Sequence, residues 1–142
     1  MAAITITPVD VDASKSAIIE RVTLGEAAAA GDTLYLDGAN GWKKTDADAV
    51  GTADGFCVLL GSGVLGTSYP SGAKVDAVFF GLMTWGAGMT PGGRVYVSVT
   101  PGKGDQTAPV AQDDVPFIIG WAFSATELFV HPQTALGVAI PA

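Results

Sequence analysis

His131 is the only histidine and Cys57 the only cysteine in this 142-residue sequence. A nucleophile–histidine–acid triad would have to use His131. It stands after Leu128-Phe129-Val130 and before Pro132, where a lone histidine reads as structural. No Gly-x-Ser-x-Gly elbow accompanies it. Gly66-Thr67-Ser68-Tyr69-Pro70 comes closest and fails at its last position. Cys57 lies in the apolar run Phe56-Cys57-Val58-Leu59-Leu60, the setting of a buried, packed thiol, and a single cysteine allows no internal disulfide.

Metal ligation needs several donors at suitable spacing, and one His with one Cys gives no zinc signature. Asp46-Ala47-Asp48-Ala49-Val50-Gly51 begins like a calcium loop. Val50 then occupies a ligand position, and Cys57 stands at the twelfth place, where a bidentate Glu is required. Asp46, Asp48 and Asp54 read as a solvated acidic loop. Gly61-Ser62-Gly63-Val64-Leu65-Gly66 satisfies G-x-G-x-x-G after an expected strand, but Thr67-Ser68-Tyr69-Pro70-Ser71-Gly72 cannot open the helix that would meet a pyrophosphate. The aromatics (Trp42, Trp85, Trp121, three Tyr, six Phe) do not interleave with basic residues, as a nucleic-acid platform would require. Most read as core, while Trp42 at a hairpin could stack on a sugar or a partner. The expectation is no catalytic residue, no metal and no cofactor.

The elements that would carry these residues are strands. Nineteen Gly and eight Pro cut the chain into short pieces. Ala3-Ile4-Thr5-Ile6-Thr7, Thr33-Leu34-Tyr35-Leu36 and Arg94-Val95-Tyr96-Val97-Ser98-Val99 alternate with period two. Strands are expected near 3–7, 18–24, 33–37, 42–45, 56–60, 74–80, 82–85, 94–99, 117–123 and 126–131. The last two join in a tight hairpin at Ser124-Ala125. Glu26-Ala27-Ala28-Ala29-Ala30 is too short to stand as a helix and reads as one turn or a loop. Ala30 to Leu36 matches Gly92 to Val97 around Tyr35 and Tyr96, and Gly55-Phe56-Cys57-Val58 matches Gly120-Trp121-Ala122-Phe123. Two similar β units follow if this self-similarity is a duplication.

The fold class is therefore all-β: a single-domain β-barrel or β-sandwich of short strands, with two similar units where the self-similarity marks a duplication. Residues 1–17 are expected as an extended N-terminal arm, 18–132 as the body and 133–142 as a tail. Hydrophobic residues make up 49% and charged residues 15%, below the usual quarter, so part of the surface is expected in subunit contacts. The net charge of −7, scattered over the chain, argues against a phosphate-backbone partner. The start has no basic n-region and no long apolar core, so it does not read as a signal peptide. No stretch of 18 apolar residues exists, so no membrane span is expected.

Three segments carry a resemblance: Leu24-Gly25-Glu26 through Leu36, Gly92 through Gly102, and Ile119 through Val130. In order and type they resemble the small capsid decoration, or cement, proteins of tailed bacteriophages, over roughly residues 18 to 132. The resemblance implies a β body, often homotrimeric, made in the host cytoplasm. It would sit on the outer surface of the virion, bound to the major capsid protein and stabilising the expanded shell. It offers no catalytic residues to carry over. The alternating segment Ile4, Thr5, Ile6, Thr7 is expected to lend a strand to a neighbour. The competing expectation is a head-fibre or tail module that binds glycans or a host surface, which an exposed cluster around Trp42 or Trp85 would favour.

Overall fold

The computed structural model describes residues 4–48, 56–61, 68–112, 114 and 116–133. Among these the strands are β1 (Asp12–Ala13), β2 (Ile18–Thr23), β3 (Ala28–Ala29), β4 (Thr33–Leu36), β5 (Trp42–Lys44), β6 (Phe56–Gly61), β7 (Ser68–Tyr69), β8 (Lys74–Thr84), β9 (Arg94–Val97), β10 (Gly104–Asp105), β11 (Ile118–Ala122) and β12 (Glu127–Gln133). Single 3-10 turns occupy Pro8–Asp10 and Gly38–Asn40. The protein is all-β, and its main sheet is antiparallel, strongly curled and ordered β10-β9-β11-β12-β8-β6-β4-β5.

The sheet is two similar halves hinged on one strand. Its first half runs β5-β4-β6-β8 and its second β10-β9-β11-β12, with the same neighbour relations. The Tyr35/Tyr96 self-similarity thus corresponds to matching strands, β4 and β9. β8 serves both halves. Its N-terminal part pairs with β6 and β2, and its C-terminal part with β12 and β1. The sequence pattern suggests two strands, 74–80 and 82–85, but the chain is continuous there. Gly81, at φ +116°, supplies the bend in a conformation that a side chain would strain, and Ala17 packs against it. A register shift opposite Ile18/Ile19 inserts an extra β8 residue at Phe79. This bulge changes the strand's phase, so Val78 and Met83 reach the same core despite their odd spacing.

Two cores result. In the first half the sheet curls until Leu24 forms a parallel bridge with Trp42. It encloses Val22, Leu24, Leu34, Cys57, Leu59, Val75 and Ala77. In the second half the inner face, with Met83, Trp85, Val95, Val97, Ile119, Leu128 and Val130, packs onto Val58 and Val78 from the outer side of the first. The layers are tied by polar contacts as well. Trp85 Nε1 donates to the Gly31 carbonyl at 2.8 Å, and Lys103 Nζ meets the almost fully buried Asp32 carboxylate at 2.9 Å. The Ala stretch forms β3 against β7, neither a helical turn nor a free loop.

The N-terminal segment lies on the body. Period two sends Ile4 and Ile6 inward, with Ile4 7% exposed in the second core, and Thr5 and Thr7 outward. A strand is expected over 3–7; Ala3 lies outside the described residues, and among the described ones residues 4–7 form one bridge, Thr5 with Ala87. Gly86 has no side chain where Ile4 sits, and β1 anchors the following residues to β8. The boundary drawn after residue 17 therefore divides a segment from the core that it helps to fill.

Candidate functional site

The residues with reactive side chains are dispersed. Cys57 is fully buried in the first core, where burial pushes its thiol far above the ordinary range and keeps it protonated. His131 stands on the outer side of β12, its ring edge-on to Phe80 at 5.4 Å. Asp46 and Asp48 share a turn in which the Asp48 N–H donates to Asp46 Oδ1 at 3.0 Å. Asp54 and residues 62–66 of the Gly-rich motif lie outside the described residues. Among the described residues no group of three or more His, Cys, Asp and Glu is placed to hold a metal ion.

An open cleft of about 400 Å³ lies between the N-terminal segment and the end of β8. Thr5, Thr7, Asp10, Thr84 and Thr126 line it with hydroxyls and one carboxylate. That lining can hydrogen-bond a polar group, but it brings no imidazole, thiol or ammonium to one point. Of the four residues expected at a partner interface, the structure leaves Thr5 and Thr7 accessible here and commits Ile4 to the chain's own core.

The tryptophans change places relative to expectation. Trp85 is buried, and Trp42 is half-buried with its ring edge-on to Phe79 at 5.6 Å. The exposed one is Trp121. Leu128 and Val130 of β12 and Ile119 and Ala122 of β11 point into the core, so Phe129, His131 and Trp121 stand on the opposite face. There they form a continuous array. Trp121 stacks on Phe129 at 5.3 Å and meets Phe123 at 5.9 Å, and Phe129 meets Phe80 edge-on at 5.3 Å. Phe80, Trp121 and Phe123 remain 40%, 37% and 53% exposed. Ile18, paired with Phe80 across β2 and β8, extends the apolar surface, and Arg94, paired with Trp121, and Glu127 lie on its rim. Sequence reasoning missed this face. The signal was present in Ile118 to Phe123, which is apolar on both faces of a strand where a solvent-washed strand would alternate.

The arrangement suits contact with another apolar surface. Interfacial rings give large area at low conformational cost. No protein-family model matches the chain, and no curated protein matches it. Fold and surface together define an all-β, two-unit body with an aromatic sheet face that nothing among the described residues covers. Among the described residues no helix is long and apolar enough to cross a membrane.

Proposed function

We propose that this chain is a structural virion protein that binds the outer surface of a phage capsid and stabilises the expanded shell, as a homotrimer in contact with the major capsid protein. The observation that carries this reading is the exposed aromatic face of Phe80, Trp121 and Phe123 on an acidic β body. Such a patch favours a protein that completes its burial in an assembly. The three segments that resemble decoration proteins also pack as one block. The Thr33 N–H donates to the Gly102 carbonyl at 2.9 Å, and β9 is paired with β11. A body that binds only the expanded shell stabilises it by mass action, and many copies multiply the effect. Mixing purified protein with undecorated expanded heads and imaging them tests this. Ordered outer density and a raised disruption temperature of the heads are expected. Bare heads at saturating protein would reject the proposal.

A second reading, a glycan-binding fibre or tail module, is favoured by the stacked Trp121–Phe129 pair with Arg94 and Glu127 nearby, since an exposed ring with polar neighbours can seat a sugar. Saccharide binding that disappears in Trp121→Ala would support it. Binding that survives the substitution would not.

A further inference from the structure

Among the described residues the aromatic face has no layer over it, in a fold that covers its counterpart. The outer side of the first half, at Val58 and Val78, is buried beneath the inner side of the second half. The equivalent outer side of the second half carries Trp121, Phe123, Phe129 and Phe80, and nothing among the described residues packs over it. Its size limits what it can accept. Three rings about two-fifths to one-half exposed offer about 250 Å² of aromatic surface. That is well below the roughly 800 Å² per partner of a standard protein interface, and is the scale of a single extended segment.

The chain supplies such a segment. Beyond β12 come Thr134-Ala135-Leu136-Gly137-Val138-Ala139-Ile140-Pro141-Ala142, nine residues without a charge, outside the described part. Leu136, Val138 and Ile140 alternate with Gly137 and Ala139, so an extended backbone would present one apolar edge and one small edge. Fully extended, nine residues reach about 30 Å. The rings follow one another at 5.3–5.9 Å, so that length suffices to cross the array. Direction decides between the chain's own face and another's. β12 runs from Glu127 to Gln133, so Phe129 and its paired Trp121 lie behind the point where the segment leaves. A straight continuation of β12 would lead away from Trp121 and Phe129, and the first glycine in the sequence beyond β12 is Gly137.

We infer that residues 134–142 of one copy dock as an extended strand on the aromatic face of a second copy, so that each molecule gives a segment and receives one. The contact is heterologous, and it closes when the copies form a ring. This inference does not rest on the capsid reading, because it concerns the protein alone in solution.

The test compares the full chain with one ending at Gln133 and with full-length Val138→Asp, by sedimentation velocity across a hundredfold concentration range. Circular dichroism checks that each variant is folded. The full chain is expected to associate, and both variants to run as monomers with tryptophan emission shifted to the red, a shift that Trp121→Phe abolishes. A synthetic peptide of residues 134–142 should bind the shortened chain saturably, with binding weakened at least tenfold by Phe129→Ser. Three results would each overturn the inference: association that survives removal of 134–142; a full chain that stays monomeric at every concentration; or a folded shortened chain that ignores the peptide.

Discussion

At the scale of single residues, burial is the first cause holding the Asp46 carboxyl above the ordinary carboxylate range. The Asp48 N–H works against it, and the Asp48 charge adds to it. The sign follows. Below the unfolded pKa both states carry the proton and Asp46 costs nothing. As pH rises the unfolded chain ionises first, so stability falls until the folded pKa is passed and then stays reduced. Asp46→Asn keeps an oxygen for the Asp48 N–H and removes the charge. It should therefore raise the melting temperature at pH 7, with the gain vanishing toward pH 3. Melting curves of both proteins between pH 3 and 8 would check this, and a gain independent of pH would count against it. Asp32, 3% exposed, has its carboxylate oxygens engaged by the Ala29 N–H and the Lys103 ammonium, so neither partner can be removed without leaving a buried polar group short of a hydrogen bond.

At the scale of elements, much was legible and the omissions share a cause. Strands with period two or a dense apolar run, such as β4, β6, β9 and the β11–β12 hairpin, fall within two residues of expectation, because local alternation specifies them. The two-residue strands β1, β3, β7 and β10 were invisible, since two residues are too few to show a period and, for β1, β3 and β7, the partner is distant in sequence. The same holds for the first residues. Alternation in Ile4 to Thr7 correctly separates two faces but cannot say whose core the isoleucines enter. The structure answers that it is the chain's own, so Ile4→Ala should destabilise the body by about 2–4 kcal/mol, as large-to-small changes in a packed core do. Urea titration would measure it, and a change below about 0.5 kcal/mol, the size of ordinary surface effects, would mean that the segment is not held. The exposed Trp121 was illegible for the opposite reason. A ring on a strand reads as core until the topology shows which face has a second layer.

At the scale of the whole molecule, the question is whether two similar halves with two cores make one cooperative unit. Three features bind them. β8 runs through both, Val58 and Val78 of the first half are packed into the second core, and the Trp85–Gly31 and Lys103–Asp32 contacts join segments more than fifty residues apart. Opening one half would strip a face from the other's core and leave the Gly31 carbonyl and the Asp32 carboxylate without these partners, at a cost of about 1–3 kcal/mol for each such group. Separate melting is thereby disfavoured. Cys57 reports on this directly, because it is fully buried in the first core while Trp85 is buried in the second. The native thiol should react with a disulfide reagent at least a thousandfold more slowly than the unfolded chain. In urea, thiol exposure and the emission change of Trp85, read in a Trp42→Phe, Trp121→Phe background, should share one midpoint. If Cys57 became reactive well before the emission changed, the first half would open alone, and β8 would join two folding units without making them one.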